Sequence, residues 1–154
     1  IIEVLVPDFL DKDNSLDMVL NAKPEIFNHN LETIRRLTPK VRSRANYDRS
    51  LSVLKKVKER SKSKIFTKSG IMLGLGETET ELFESLSDLR SANCDMLTMG
   101  QYLQPSLCHL PVVSYIEPSK FDEYGNKARD MGFMHVASGP MVRSSYHADE
   151  FQLP

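Results

Sequence analysis

Short apolar runs that are typical of buried strands recur along the chain. Each run is four to nine residues long and is bounded by proline, glycine or a polar cluster. Runs of this length between turn residues indicate strands that are covered on both faces. The predicted strands cover residues 1–6, 25–28, 65–73, 96–103 and 133–137.

Helical spacing of apolar residues separates these runs. Leu51, Leu54 and Val57 recur on one side of a segment whose other side is basic. Thr78 and Glu81 form a Thr-x-x-Glu capping box, which predicts a helix beginning there. The predicted helices cover residues 14–20, 31–37, 47–60, 78–89 and 118–132, with Pro39 breaking the second and Pro118 in the first turn of the last.

Alternation of apolar strands with helices predicts an α/β fold with a parallel sheet covered by helices. Open sheets and barrels both satisfy this pattern. Polar clusters follow the second, third and fourth predicted strands, at residues 28–30, 74–77 and 101–104. Because α/β proteins build their sites at the carboxyl ends of strands, these clusters favour part of a barrel.

Composition narrows the function classes. The 154 residues suffice for one domain with a sizeable core, and the formal net charge of −1 gives no reason to propose nucleic acid or an anionic membrane as partner. Apolar runs fall short of the roughly 20 residues of a membrane span. Cys94 and Cys108 lack metal-ligand spacing and read as free thiols in a reducing compartment. The chain begins with Ile1 inside a predicted strand, so we expect a fragment.

Three polar segments could carry chemistry, and each has a structural alternative. The glycine-rich residues 70–77 suit close approach of a flat or anionic ligand, or a tight strand-to-helix turn. Asn28, His29 and Asn30 could bind a ribose, an amide or a carboxylate, or form a turn. Residues 101–104 place two amides where Pro105 ends a strand, for binding or as surface groups.

The densest polar cluster follows Gly139 and Pro140. It reads Arg-Ser-Ser-Tyr-His over residues 143–147. A turn with an arginine salt bridge explains it, and a catalytic triad does not, because no nucleophile elbow surrounds either serine. A lysine run between residues 55 and 64 is a solvated helix face or a dock for an acidic protein.

In order and wording these segments resemble the lipoyl synthases of the radical S-adenosylmethionine (SAM) superfamily. The most family-specific stretch is Arg143–Tyr146 with its neighbours. The matching stretches are Leu-Val-Pro-Asp-Phe (5–9), Phe-Asn-His-Asn-Leu-Glu (27–32), Thr-Lys-Ser-Gly (67–70), Gly-Leu-Gly-Glu-Thr (74–78), Gln-Tyr-Leu-Gln-Pro-Ser (101–106), His-Leu-Pro-Val (109–112), Gly-Pro (139–140) and Val-Arg-Ser-Ser-Tyr-His-Ala-Asp (142–149).

The resemblance implies the last four strands of a six-stranded partial (β/α) barrel over residues 1–132, and a C-terminal extension over residues 133–154. It implies that SAM lies at the strand ends, with a Gly-x-Ile-x-Gly-x-x-Glu element near the adenine in which Met72 takes the Ile place. The SAM-binding residues it implies are Asn28, His29, Asn30, Gly70, Met72, Gly74, Glu77, Gln101, Tyr102 and Leu103.

The resemblance further implies that Ser145 binds one iron of an auxiliary [4Fe–4S] cluster, an unusual ligand for cluster iron. Arg143 and Tyr146 would position that segment, and we count Arg143 with Ser145 as catalytic. The parent enzyme would insert two sulfur atoms at C6 and C8 of a protein-bound octanoyl group. The cysteines for its two [4Fe–4S] clusters lie outside this sequence, so we expect this chain alone to be inactive.

Implied partners are octanoylated lipoyl carrier domains (acyltransferase subunits of 2-oxoacid dehydrogenases and the glycine cleavage H protein) and an electron donor such as flavodoxin or ferredoxin. The expected location is the bacterial cytoplasm, or a mitochondrion or plastid in a eukaryote. Two alternatives stay open. One is another radical SAM enzyme, and the other is a truncated, non-catalytic protein that binds SAM or a lipoyl carrier.

Overall fold

The computed structural model describes residues 1–144, in which five strands alternate with helices. A 3₁₀ turn at Phe9–Asp11 follows the first strand. The strands are β1 (Glu3–Leu5), β2 (Ile26–Asn28), β3 (Phe66–Leu73), β4 (Met96–Gln101) and β5 (His135–Ser138). The helices are α1 (Asp13–Asn21), α2 (Thr38–Val41), α3 (Tyr47–Arg60), α4 (Glu79–Ser91) and α5 (Pro118–Asp130).

The strands form one sheet in the order β1-β2-β3-β4-β5, and every neighbouring pair is parallel. Sequential parallel order with helical crossovers confirms the α/β class and is consistent with part of a TIM-like barrel. The last predicted strand is real and pairs with β4. The proposed boundary between barrel and extension at residue 132 stays a prediction.

The helices agree with the sequence in most places. Helix α3 has the predicted bounds, and the Thr78 and Glu81 capping box is formed in both directions at the start of α4. The helix predicted over residues 31–37 is wrong, since those residues form an extended bridge and a turn. Helix α2 begins at Thr38 instead, because Pro39 is compatible with the first turn of a helix but not with its interior.

One face of the sheet packs against the helices. Residues that are paired between parallel strands point to the same side, so Phe27, Ile71 and Val136 share this outer face. They form one buried cluster with Leu54, Leu86 and other residues of α3, α4 and α5. Burial of each such side chain contributes roughly 1.5–3 kcal/mol, so this layer fixes the sheet.

The opposite, inner face changes character along the strands. Near the amino ends Ile26 and Met96 are buried with Phe66 packed on them. The next level is polar: Lys68 Nζ lies 2.9 Å from Glu3 Oε2. Near the carboxyl ends the inner face carries small residues, Gly70, Thr98 and Gly100.

Within residues 1–144, no helix combines the length and the apolar character needed to cross a membrane.

Candidate functional site

A cavity of about 500 Å³ opens at the carboxyl ends of the strands. This volume lies within the range of 300–1,000 Å³ that small-molecule sites usually have. Its floor is the inner face of β3 and β4, and its walls come from the segments that follow β2, β4 and β5. The lining includes Leu5, Asn30, Glu32, Gly70, Met72, Thr98, Gly100, Leu103, Gln104, Arg143 and Ser144.

Asn30 offers this cavity a buried hydrogen-bond acceptor. Its Oδ1 atom is buried and receives no hydrogen bond from any of residues 1–144. A buried amide oxygen without a donor costs about 1–3 kcal/mol, so a donor on a ligand or a water would relieve it. A Cβ atom at Gly70 would lie 2.9 Å from this oxygen and 2.8 Å from Thr98 Oγ1, so a larger residue at position 70 would displace the Asn30 or the Thr98 side chain.

Glu32 was not among the predicted site residues, yet it separates this cavity from a second one. Its φ of 70° is rare for a non-glycine residue. The geometry is held by β3, because Glu32 N donates to Gly70 O at 2.8 Å and Met72 N donates to Glu32 O at 2.9 Å. Burial raises the pKa of the Glu32 carboxyl, and the nearby charge of Arg42 opposes that rise. Its oxygens can accept hydrogen bonds from ligand hydroxyl or amine groups.

The second cavity, of about 550 Å³, lies beside the first. Glu32, Met72 and Leu103 line both. Tyr102 contributes an apolar ring to its wall and is fixed there, because its hydroxyl donates to Leu110 O at 2.8 Å.

His29 and Asn28 do not line either cavity, so only Asn30 of the predicted cluster at residues 28–30 lies at the candidate site. The His29 ring is buried, with Nδ1 2.9 Å from Val6 O and Nε2 2.9 Å from Ser50 Oγ. A carbonyl only accepts, so Nδ1 carries the proton and Nε2 accepts from the Ser50 hydroxyl. Burial lowers the pKa of His29, which keeps the ring neutral. The side chain of Asn28 donates to Glu3 Oε1 at 2.7 Å, below the cavity floor.

Two predicted residues of the glycine-rich segment shape the turn after β3. Glu77 accepts from Gly74 N at 2.6 Å and from Leu75 N at 2.9 Å. Gly74 has a φ of 99°, which glycine adopts without strain. Its carbonyl accepts from Val113 N at 2.8 Å. These residues therefore join the turn to the loop that follows β4.

Gln101 makes the same connection from the other side. Its Nε2 donates to the carbonyls of Tyr102 and Ser114, each at 3.0 Å, and its Oε1 accepts from Ile116 N at 2.9 Å. The amide hydrogens are thus used within the protein. Gln101 holds residues 102–117 against the sheet, and those residues carry Leu103 into the cavity.

The segment after β5 closes the cavity. Arg143 and Ser144 line it, and Arg143 Nη1 donates to Val142 O at 2.7 Å. The predicted cluster ligand Ser145 and its neighbour Tyr146 lie outside the described residues.

The cysteines of the chain do not suit a metal cluster. Cys94 is fully buried just before β4, at the end of the sheet opposite the cavity, and burial raises the pKa of its thiol to about 12. Cys108 is exposed on the loop after β4. Among residues 1–144, no three His, Cys, Asp or Glu side chains come together as metal ligands.

Several lining residues were not predicted from the sequence, among them Thr98, Gly100 and Glu32. Thr98 and Gly100 alternate with the outward Leu97 and Met99, so strict period-two reading of β4 would have found them. Glu32 had no such signal, since its place depends on a bridge to β3.

Comparison with known proteins agrees with this geometry. The radical SAM superfamily profile matches residues 1–89, and the chain belongs to that superfamily, whose members use SAM and iron–sulfur chemistry. Within it, lipoyl synthases are among the similar sequences. The lipoyl synthase of Caldanaerobacter subterraneus is 55% identical over 96% of this chain and 52% of its own length. Lipoyl synthase 2 of Gloeobacter violaceus is 57% identical over 97% of this chain and 51% of its own. The chain spans about half the length of these curated relatives.

Solved structures support the fold alone. Streptococcus suis SuiB, bound to the precursor peptide SuiA, superposes with a TM-score of 0.66 at 10% identity, over 99% of this chain and 36% of SuiB. The Bacillus subtilis HMG-CoA lyase gives a TM-score of 0.51 at 13% identity, over 88% of this chain and 52% of the lyase. At such identities the match shows shared architecture and no shared chemistry.

Proposed function

We propose that this chain is the C-terminal half of a lipoyl synthase and that the strand-end cavity holds SAM. The observation that carries the proposal is the pair of acceptors, Asn30 Oδ1 and the Glu32 carboxylate, beside a floor on which Gly70 has no side chain. SAM has hydroxyl and amine donors to match them and a flat adenine to lie on small and apolar residues.

The chain's own residues would bind and orient SAM. Asn30 and Glu32 would accept its hydrogen bonds, while Gly70, Met72 and Leu103 would contact its rings. Gln101 lines the cavity, and its side chain would hold the loop that follows β4. The other predicted residues would support the site without lining this cavity: His29 and Asn28 would fix β2, and Glu77, Gly74 and Tyr102 would fix the loops that form the walls. When bound, SAM supplies the radical chemistry and the clusters supply the electron and the sulfur.

The wider activity is proposed from the relatives. The whole enzyme would carry two [4Fe–4S] clusters, accept octanoylated lipoyl carrier domains and draw electrons from flavodoxin or ferredoxin, in a bacterial cytoplasm. Ser145 would contribute the oxygen ligand to one cluster iron, with Arg143 beside it. The thiolate ligands would come from the other half of the enzyme, since Cys94 and Cys108 do not suit the task.

The test compares two glycine substitutions in the full-length parent, reconstituted with its clusters. Gly70→Ala should weaken SAM binding at least tenfold, because the new methyl group overlaps Asn30 and Thr98. Gly139→Ala is the matched control, since its Cβ would meet, among residues 1–144, only Val142 Cγ2, at an ordinary 3.5 Å. The dissociation constant of SAM is measured by equilibrium dialysis, and lipoyl product by mass spectrometry.

Equal SAM affinity in both variants would show that the cavity is not the SAM site. Tight SAM binding without any lipoyl product, in a parent that has both clusters, would favour the first alternative, another radical SAM enzyme.

A further inference from the structure

The C-terminal segment, residues 139–144, crosses the inner face of β4. Gly139 N donates to Met99 O at 3.1 Å, and Gln101 N donates to Pro140 O at 3.4 Å. The Val142 side chain is 6% exposed, and its amide donates to Gly139 O at 3.1 Å. The segment is therefore held by backbone bonds at its start and by one buried side chain near its end.

The closest approach to the strand occurs at Gly100. A Cβ atom there would overlap the carbonyl oxygen of Val142 and would lie 3.1 Å from its carbonyl carbon. Both atoms belong to the backbone, so no rotation of a side chain can make room. Any residue other than glycine at position 100 must therefore lift the segment from the sheet or displace the strand.

The same carbonyl connects Gly100 to the cavity wall. Val142 O accepts the hydrogen bond from Arg143 Nη1, and this guanidinium lies 3.4 Å from the place of the absent Cβ. Arg143 and Ser144 in turn line the same cavity as Gly70. A shift of the Val142 carbonyl must move this wall.

We propose that Gly100 is a positioning residue, whose missing side chain seats the C-terminal segment so that Arg143 and Ser144 complete the cavity. Seating of the segment and occupation of the cavity are then coupled: a ligand that contacts this wall stabilises the seated segment, and an unseated segment weakens the ligand by the same factor. The coupling to SAM rests on the proposed function, but the seating itself does not.

Hydrogen–deuterium exchange on the full-length parent tests the seating. Gly100→Ala should raise the exchange rate of the hydrogen-bonded amides of Gly139, Val142 and Gln101 at least tenfold, while the amides of β3 stay protected. Gly139→Ala places the same methyl group on the same segment without overlap, so its exchange should match that of the parent.

A second variant keeps the proposal testable if Gly100→Ala does not fold. Val142→Ala leaves β4 untouched and removes the buried side chain that anchors the segment, so it should also release residues 141–144 selectively. The proposal is overturned if neither variant releases the segment while β3 remains protected.

Binding of SAM provides a second test of the proposal. Saturating SAM should slow exchange of the same amides in the parent, and Gly100→Ala should weaken SAM binding by the factor by which it reduces the fraction of molecules with a seated segment. A Gly100→Ala variant that loses SAM binding with its segment still seated would contradict the positioning role. Release of the segment in a protein that binds no SAM at all would instead uphold the seating and overturn the proposed function.

Discussion

Replacement of His29 by alanine tests whether this residue supports the fold or contacts the ligand. The ring joins the end of β1 to helix α3 through Val6 O and Ser50 Oγ and is 1% exposed. Each lost hydrogen bond costs about 1 kcal/mol, and removal of a buried ring leaves a cavity that adds a few more. We expect His29→Ala to lower the free energy of unfolding by about 3–5 kcal/mol.

The same environment predicts a pH dependence. Burial sets the pKa of His29 in the folded protein below its ordinary value of 6.5. The unfolded chain therefore takes up a proton first as the pH falls, and stability falls with it. The contribution of His29 is present above pH 6.5 and is lost as the pH falls through the lower folded-state pKa. His29→Gln should flatten this part of the stability profile.

Urea unfolding of the full-length parent, followed by circular dichroism between pH 5 and 8, measures both effects. His109 provides the matched control, since it is exposed and pairs only locally with Ser106 Oγ at 2.8 Å. His109→Ala should change the free energy of unfolding by less than about 0.5 kcal/mol. A loss below about 1 kcal/mol for His29→Ala, together with lost SAM affinity, would refute the structural role.

Two further predictions concern charge and chemistry. Asp95→Ala should lower the free energy of unfolding in urea by about 3–5 kcal/mol. The substitution removes the carboxylate that lies 2.8 Å from Lys58 Nζ and leaves this largely buried charge without its ion-pair partner. Asp48→Ala, which breaks an exposed pair with Arg35, should cost less than about 1 kcal/mol, and equal costs would contradict the burial argument. Ser145→Ala in the reconstituted parent should reduce lipoyl product far more than SAM cleavage, and an equal loss of both would argue against a role at the auxiliary cluster.

The sequence predicts most of the elements because their signals are local. Helix α3 follows from apolar residues at helical spacing, and α4 from a capping box. The error at residues 31–37 has a specific cause. The bridge from Glu32 to Ile71 joins segments 39 positions apart, and that long-range pairing outweighs local helical spacing.

The sequence likewise predicts one part of the candidate site and not the other. That polar clusters end the strands is visible in the sequence, and the structure does bring Asn30, Gly70 and Met72 to one cavity. Which polar side chains are free to bind a ligand there is not visible, because the His29 ring and the Gln101 amide, although Gln101 lines the cavity, are hydrogen-bonded to partners 13 to 23 positions away. Their side chains therefore stabilise the frame around the cavity.

Photo-crosslinking of isotope-labelled SAM tests most directly whether the strand-end cavity is the SAM site. The full-length parent is irradiated with labelled SAM, with and without an excess of unlabelled SAM, and its peptides are mapped by mass spectrometry. We predict competable label in peptides that contain residues 30–32, 70–72 or 103–105. Competable label confined to peptides without any of these residues would contradict the account.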